Sequence, residues 1–233
     1  MADHTVEYVE GRRAAVRFDS KLCIHARNCV LRQPEAFKAN AEGPWIDPDA
    51  APPGALLEVA LNCPSGAITI VRLDGGAVET ASKVNLVTLR ENGPLVFRAE
   101  LHIGDQPVCY RATLCRCGQS QHKPFCDGAH ITFGFVATGE PPTMESQPLT
   151  ARAGPVTAKP LPGGPLEISG NVEIVSGGGR TIDRSTKVSL CRCGASRNKP
   201  FCDGSHVLAG FETPLSLRGL STERAGTIEP LEG

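Results

Sequence analysis

One pattern of three cysteines and one histidine occurs twice in this chain, 76 residues apart. Each copy reads C-x-C-x8-C-x3-H, and both copies contain the inner sequence CRCG-x-S-x-x-KPFCDG. Three thiols and one imidazole are soft ligands, and their repetition at identical spacing indicates two copies of one metal site. The ligand sets are Cys115, Cys117, Cys126 and His130 (site 1) and Cys191, Cys193, Cys202 and His206 (site 2).

Three cysteines and one histidine do not by themselves select a metal. Tetrahedral zinc accepts this ligand set, but structural zinc sites usually pair their ligands across C-x2-4-C and H-x3-5-H spacings. The first pair here is the tighter C-x-C, and the third thiolate and the histidine follow on a later turn. This spacing suits two irons bridged by sulfide, so zinc and a two-iron cluster are the alternatives at this point.

Both copies also match a longer signature, C-x-C-x2-[ST]-x3-P-x-C-D-G-[SAT]-H. The match includes Ser120 and Pro124 in the first copy and Ser196 and Pro200 in the second. This signature resembles that of the CDGSH iron–sulfur (NEET) family, in which the three cysteines and the histidine bind one [2Fe–2S] cluster. The resemblance implies one such cluster at site 1 and one at site 2, and it disfavours zinc.

The residues around the ligands predict local structure and charge. An Asp-Gly pair between the last cysteine and the histidine suits a turn or a helix start, because Asp caps amides and Gly allows close backbone approach. Basic side chains would place positive charge beside anionic clusters, and solvated surface charge is the alternative for each of them. These basic residues are Arg116, Lys123, Arg192 and Lys199.

The single histidine predicts the redox character of each site. A neutral imidazole in place of a thiolate removes one negative charge, so reduction becomes easier than in an all-cysteine cluster. Because a protonated histidine is a poor ligand, acid should release the cluster. The copies differ at Ala129 against Ser205 and at His122 against Asn198, so we predict two non-equivalent clusters.

A third group of cysteines, the N-terminal site, consists of Cys23, Cys29 and Cys63. Bacterial ferredoxins contain a C-x2-C-x2-C run and a distant Cys-Pro element. Cys23 and Cys29 occupy the first and third positions of such a run, Ala26 occupies the second, and Pro64 follows Cys63. The segment 16–70 resembles the short single-cluster ferredoxins and the divergent mono-cluster ferredoxin domain.

Three thiolates at the N-terminal site fit a [3Fe–4S] cluster, which is the interpretation we favour. The alternatives are a [4Fe–4S] cluster with a fourth ligand such as His25 or a solvent species, and ordinary buried cysteines. Cys109 lies in an alternating stretch and is interpreted as a small apolar strand residue.

Composition limits the class of protein. Aromatic residues make up 5% of the chain, against 25 glycines and 19 prolines, so we expect small, loop-rich cores that clusters can stabilise. A net charge of −1 without a basic block disfavours nucleic acid as a partner, and no apolar run suggests a membrane span. The cysteine spacing describes metal sites rather than disulfides, which is typical of a reducing compartment. We therefore predict a cytoplasmic protein.

The predicted fold class is α+β, with a small ferredoxin-like domain followed by a β-rich pair of CDGSH repeats. In one-motif NEET proteins two chains pair, so the resemblance implies an intramolecular pseudo-dimer and a monomer with an internal pseudo-twofold axis. Patterning predicts strands at 14–18, 67–72, 96–103 and 167–175 and short helices at 27–32 and 55–61. The predicted divisions are a ferredoxin-like domain (1–73), repeat 1 (74–138), a Pro-rich connection (139–160), repeat 2 (161–222) and a tail (223–233).

The predicted function is single-electron transfer by a non-catalytic protein with three iron–sulfur clusters. No nucleophile–base constellation, phosphate loop or substrate motif indicates an enzyme. Cluster storage and delivery, or sensing of iron or redox state, is the second hypothesis, and a purely structural zinc protein is the third. The predicted partners are accordingly a redox partner protein or an apo iron–sulfur acceptor.

Overall fold

The computed structural model describes residues 5–213. The predicted tail and the end of the predicted second repeat, residues 214–222, lie outside the described residues. Within 5–213 the fold is α+β, with two β-sheets and a few short helices. No helix in this range is long and apolar enough to cross a membrane.

The N-terminal unit combines a three-stranded antiparallel sheet with two helices. The strands are β1 (Val6–Glu10), β2 (Ala14–Asp19) and β3 (Ile68–Arg72), with β2 in the centre. The helices are α1 (Asn28–Arg32) and α2 (Pro53–Asn62), and two 3₁₀ turns cover Ser20–Leu22 and Pro48–Ala50. Proline at the first position of α2 has no amide hydrogen that would need a partner there. The helix ends immediately before Cys63.

The core of this unit forms where α2 packs on the sheet. Leu56 and Val59 of α2 lie against Val16 of β2 and Ile68 of β3, and Phe37 closes the cluster. All five side chains are at most 3% exposed, and burial of each stabilises the fold by about 1.5–3 kcal/mol. This small core fixes the loop before α1 and the turn after α2, which bear the three cysteines of the N-terminal site.

The second sheet contains six strands drawn from both repeats. They are β4 (Leu86–Leu89), β5 (Leu95–Ile103), β6 (Cys109–Leu114), β7 (Pro155–Pro160), β8 (Leu166–Val175) and β9 (Thr181–Leu190). Two antiparallel hairpins, β5 with β6 and β8 with β9, form its two sides.

The short strands β4 and β7 lie between these hairpins. β4 pairs antiparallel with β5 and parallel with β8, whereas β7 pairs antiparallel with β8 and parallel with β5. The two hairpins are therefore joined through two short strands, each of which precedes one hairpin in the sequence.

Alternating apolar residues place the core on one face of this sheet. Leu95, Phe97 and Leu101 of β5 are 0% exposed, as are Ile168 and Ile174 of β8. Because both hairpins contribute to one continuous core, neither repeat buries its apolar face alone.

The six segments predicted as strands and helices all contain an element of the predicted type, with ends shifted by a few residues. Strands β1, β4 and β9 are not among the predicted strands. The segment predicted as a Pro-rich connection contains strand β7, where Val156 and Ala158 are buried and prolines stand at the two ends. Proline is compatible with strand ends because its missing amide is not needed there.

Candidate metal centres

Site 1 begins where β6 ends. Leu114 is the last strand residue, and it forms an isolated β-bridge with Phe125 as the chain returns. This return places Cys126 beside Thr113, whose carbonyl accepts a hydrogen bond from the Cys126 amide at 2.9 Å. The hairpin strand thus brings the C-x-C pair and the third cysteine together.

The Asp-Gly pair caps the short helix that bears the histidine, as predicted. The Asp127 carboxylate accepts hydrogen bonds from the amides of Ala129 at 3.0 Å and Gln121 at 2.7 Å. Gly128 has φ +86°, a left-handed conformation that favours glycine. Helix α3 (Ala129–Thr132) then holds His130 in its first turn.

Site 2 repeats these contacts around helix α4 (Ser205–Leu208). Asp203 accepts hydrogen bonds from the amides of Ser205 at 3.0 Å and Arg197 at 2.8 Å, and Gly204 has φ +86°. In both sites a buried serine hydroxyl donates to a phenylalanine carbonyl, and the proline between them follows a cis peptide bond. Equal spacing in the sequence therefore produces equal local structure.

The four predicted ligands of each site fall into two close pairs. In site 1 the Cys115 and Cys117 sulfurs are 3.6 Å apart, and the Cys126 sulfur is 3.5 Å from Nδ1 of His130. In site 2 the corresponding distances are 3.7 and 3.4 Å. No three His, Cys, Asp or Glu side chains within 5–213 converge closely enough to hold a single metal ion.

These distances match two ligands on one tetrahedral ion. Two sulfurs at about 2.3 Å from such an ion lie about 3.8 Å apart, and a sulfur and an imidazole nitrogen lie about 3.6 Å apart. Each site therefore offers one sulfur–sulfur pair and one sulfur–nitrogen pair, and each pair has the spacing that one ion requires.

The charges of the thiols are strongly coupled. A hydrogen bond from the Cys117 thiol lowers the pKa of Cys115 to about 6 and raises that of Cys117. Burial is the largest cause, and together with the charge of Cys115 it raises the pKa of Cys126 to about 11. One thiolate forms readily at site 1, and the others require a positive ion to replace their protons.

Backbone amides also point at the sulfurs. In site 1 the amides of Gln119 and Gly128 lie 3.4 Å from the sulfurs of Cys117 and Cys126. In site 2 the Ala195 amide lies 3.4 Å from the Cys193 sulfur. Amide hydrogen bonds stabilise negative charge on sulfur and raise the reduction potential of a bound cluster.

The three cysteines of the N-terminal site line one cavity of about 640 Å³, together with His25 and Ala26. The His25 amide lies 3.4 Å from the Cys23 sulfur, and burial together with the neighbouring cysteines raises the pKa of Cys23 and Cys29. The loop before α1, helix α1 itself and the turn after α2 therefore line the same cavity.

Comparison with known proteins agrees with this arrangement. The family described as "Iron-binding zinc finger CDGSH type" matches residues 65–131 and 163–207, and the family "Divergent 4Fe-4S mono-cluster" matches residues 9–73. The chain belongs to the CDGSH iron-binding family. It carries a divergent mono-cluster domain at its N-terminal end.

Two curated relatives are known only as uncharacterized protein YjdI, from Escherichia coli K12 and from Escherichia coli O157:H7. Each is 34% identical to this CDGSH protein over 58 residues, which is 25% of this chain and 75% of the relative. No solved structure matches the chain significantly.

The arginine inside each CDGSH motif is buried rather than solvated. Arg116 is 1% exposed and Arg192 is 5% exposed. The Arg116 guanidinium donates hydrogen bonds to the carbonyls of Gly93, Arg90, Thr138 and Ala137. Arg192 donates to the carbonyls of Gly164 and Leu161 and to the Thr213 hydroxyl.

An aromatic ring lies against each of these arginines. It belongs to a Gly-Phe pair that follows each motif at the same distance in the sequence. Phe135 lies under Arg116 at 5.6 Å and Phe211 lies under Arg192 at 5.2 Å, measured from the guanidinium carbon to the ring centroid. The repeated offset of these phenylalanines was visible in the sequence, but their stacking on the arginines was not predicted.

The two CDGSH motifs contact each other directly. A Cβ atom at Gly118 would lie 2.5 Å from the Cys193 carbonyl oxygen, and one at Gly194 would lie 2.4 Å from that of Cys117. Lys199 of the second motif lies 5.9 Å from the ring of Phe135. The backbones next to the two C-x-C pairs therefore pack reciprocally, with no space for a side chain.

Cys109 is half-buried at the start of β6 and packs against the sheet core, in line with its interpretation as a strand residue. Burial raises the pKa of its thiol to about 11. It is separate from the three predicted ligand sets.

Proposed function

We propose that this protein binds three iron–sulfur clusters and transfers single electrons between protein partners without catalysing a reaction of its own. Sites 1 and 2 would each hold one [2Fe–2S] cluster, and the N-terminal site would hold a [3Fe–4S] cluster. The observation that carries the proposal is the arrangement of each CDGSH ligand set in two pairs with the spacing of two ligands on one ion.

The paired arrangement favours two metal ions per site. Cys115 and Cys117 would bind one iron, and Cys126 and His130 would bind the other. A [2Fe–2S] cluster supplies a one-electron couple when bound. The chain contributes amide hydrogen bonds to the sulfurs and a buried arginine beside each motif, and both stabilise negative charge.

The N-terminal site supports a cluster held by three thiolates. Ala26 stands where a fourth cysteine would be, and its side chain cannot bind iron. A [4Fe–4S] cluster is the alternative, with His25 or a solvent species as the fourth ligand, since His25 lines the same cavity. The matching family is described as a 4Fe-4S type, so the iron count at this site separates the two.

We propose that the CDGSH repeats form an intramolecular pseudo-dimer. The reciprocal pairing of β4 and β7 with both hairpins supports a pseudo-twofold axis between the repeats. The reciprocal contacts of Gly118 and Gly194 support the same axis. On this proposal a ferredoxin-like domain, 1–73, precedes repeat 1 at 74–138 and repeat 2 at 161–222, and the chain acts as a monomer.

Delivery of clusters to an apo acceptor, or sensing of iron or redox state, is the second candidate. The observation that favours it is the exposure beside the histidines. Ile131 next to His130 is 77% exposed, and Val207 next to His206 is 73% exposed. A ligand at the surface can be replaced by the ligand of another protein more easily than a buried one.

A mixing experiment separates the two candidates. The anaerobically purified protein is reduced with dithionite, freed of excess reductant, and mixed with an oxidised one-electron acceptor protein or with an apo-ferredoxin. Electron transfer predicts rapid reduction of the acceptor while the iron stays on the chain. Appearance of holo-ferredoxin together with loss of iron from the chain would contradict electron transfer and support delivery.

A further inference from the structure

Two arginines of the first CDGSH repeat bond to the N-terminal unit. Arg98 of β5 donates an exposed hydrogen bond to the Leu61 carbonyl at 2.8 Å, and the other arginine is buried. Arg111 of β6 is 4% exposed. Its guanidinium donates a hydrogen bond to the Cys63 carbonyl at 2.7 Å and another to the Ile68 carbonyl at 3.1 Å. The remaining donors face the Glu79 carboxylate at 2.5 and 2.7 Å. A side chain of the second sheet is thus bonded to the backbone of a predicted ligand of the N-terminal site.

The turn after Cys63 packs on the same strand through its backbone. Gly66 has φ +73°, and a Cβ atom there would lie 2.7 Å from the Arg111 carbonyl oxygen. This approach is too close for any side chain. It is independent of the guanidinium contacts and involves no charge.

Strand β6 leads from this contact directly into site 1. Cys115 lies four positions after Arg111, and an extended chain spans about 13 Å over four residue steps. Repeat 2 has Lys187 at the equivalent position, where the side chain is exposed. The contact therefore distinguishes repeat 1 from repeat 2.

We infer that Arg111 and Gly66 are positioning residues that hold the N-terminal site at a fixed place relative to site 1. This pairing makes site 1, rather than site 2, the centre that exchanges electrons with the N-terminal site. One electron leaves one centre and enters the other, so one is oxidised as the other is reduced, and no bond forms or breaks. The inference rests on the proposed function, because it requires clusters at both sites.

The test measures magnetic interaction in the full-length, cluster-loaded protein. Cys202→Ser removes a ligand of site 2, and Cys126→Ser removes one of site 1, so each variant leaves one [2Fe–2S] EPR signal after reduction with dithionite. A paramagnetic neighbour at a short, fixed distance speeds relaxation, which raises the microwave power needed for half-saturation. We expect fast relaxation in the Cys202→Ser protein and slow relaxation in the Cys126→Ser protein.

Two substitutions then break the contact by different means in the Cys202→Ser background. Arg111→Met removes the hydrogen bonds and the charge, whereas Gly66→Ala adds only a methyl group. Both should slow relaxation of the site 1 signal, because both separate the Cys63 turn from β6. The matched controls are Lys187→Met at the equivalent exposed position and Gly75→Ala, where φ is +70° and nothing lies within 4 Å. Both controls should leave relaxation unchanged.

The reduction potential of the N-terminal centre is a second readout, and it separates the effect of a lost charge from the effect of a lost position. Arg111→Met leaves Glu79 unpaired and should shift the reduction potential of the N-terminal centre downward, whereas Glu79→Gln should shift it upward. Gly66→Ala changes no charge, so it should alter the relaxation of the site 1 signal and have little effect on the reduction potential of the N-terminal centre. If either variant fails to bind clusters, the other still carries the test.

Equal relaxation of sites 1 and 2, or unchanged relaxation in both Arg111→Met and Gly66→Ala, would overturn the inference and leave the proposed function intact. Absence of any iron–sulfur EPR signal from the unaltered protein would overturn the proposed function and the inference together. The EPR spectrum of the unaltered protein therefore shows which of the two has failed.

Discussion

The two CDGSH repeats have the same ligand spacing and the same capping contacts, but repeat 1 is more enclosed than repeat 2. Cys117 and Cys126 are buried, whereas Cys193 and Cys202 are half-buried. The strands that lead into the sites differ in the same direction. The last four residues of β6 are buried, while only the last of the corresponding four in β9 is buried.

The N-terminal unit contacts strand β6, the strand that leads into site 1. Arg111 joins β6 to the Cys63 turn, whereas the equivalent Lys187 is exposed. The motif sequence thus accounts for the arrangement of the ligands, whereas contact with the neighbouring domain distinguishes the strand that leads into site 1 from its counterpart in repeat 2.

Removal of one thiolate should empty one site and leave the other filled. Cys126→Ser should cost about two irons and two sulfides per chain, and Cys202→Ser should cost the same number, because each site would hold one [2Fe–2S] cluster. Iron and sulfide analysis of both variants measures this. Loss of all CDGSH iron in either variant would show that the repeats do not bind clusters independently.

Replacement of the buried arginines should destabilise repeat 1 more than repeat 2. Arg116→Met leaves four carbonyls without their donor and should lower the free energy of unfolding by about 3–5 kcal/mol. Arg192→Met should cost about 1–3 kcal/mol, since within residues 5–213 Arg192 bonds to two carbonyls and one hydroxyl. Denaturant unfolding checks both values.

Arg180→Met provides the control for these arginines. Arg180 is an exposed arginine that pairs with Glu140 and donates to the Pro141 carbonyl and the Thr143 hydroxyl. Because water can replace these contacts at the surface, its loss should cost less than about 1 kcal/mol. An equal loss of stability in the Arg116 and Arg192 variants would remove the proposed difference between the repeats.

A methyl group between the motifs should affect both sites at once. Gly118→Ala places a Cβ 2.5 Å from the Cys193 carbonyl oxygen, so it should cost about 2–3 kcal/mol and disturb site 2 as well as site 1. Gly128→Ala has a similar positive φ and nothing within 4 Å. It should therefore cost about 1 kcal/mol and affect site 1 alone. Visible circular dichroism of the single-site proteins reports each site, and an effect of Gly118→Ala confined to site 1 would contradict the pseudo-dimer.

Acid should release the cluster of site 2 before that of site 1. Burial lowers the pKa of His130, so its imidazole stays neutral, and able to bind iron, to a lower pH than an ordinary histidine. In the cluster-free protein this same shift lowers the free energy of unfolding as pH falls from about 6.5 toward the lowered pKa, because the unfolded chain binds the proton first. Site 2 is more exposed, so acid and solvent reach its ligands more easily.

Visible absorbance against pH in the Cys126→Ser and Cys202→Ser proteins measures the two sites separately. The Cys202→Ser protein, which keeps site 1, should lose its absorbance at the lower pH. The reverse order would show that burial does not control acid release.

The smallest effect should come from the residue that differs beside each histidine. Ala129→Ser and Ser205→Ala give each motif the residue that the other motif has at that position. The Ser205 hydroxyl bonds to the Asp203 carboxylate, so the exchange should shift the reduction potentials by less than a ligand change does. A spectroelectrochemical titration resolves the shifts, and a shift as large as that from His130→Cys would contradict this ranking.

Much of this arrangement could be predicted from the sequence because it is local. Strands β5 and β8, the Asp-Gly cap and the nearness of paired ligands follow from periodicity, from spacing and from turn chemistry. Burial of Arg116 and Arg192 could not be predicted, because it depends on carbonyls supplied by segments more than 20 residues away. The roles of Gly66 and Arg111 depend on the packing of two domains, and no repeat in the sequence marks either residue.

Metal analysis combined with EPR measures whether the chain holds three iron–sulfur centres. Anaerobic purification followed by iron, sulfide and zinc determination should give about seven irons and eight sulfides per chain. The protein as isolated should show an EPR signal that reduction changes. Zinc without sulfide would contradict the account and leave a protein in which metal ions only stabilise small domains.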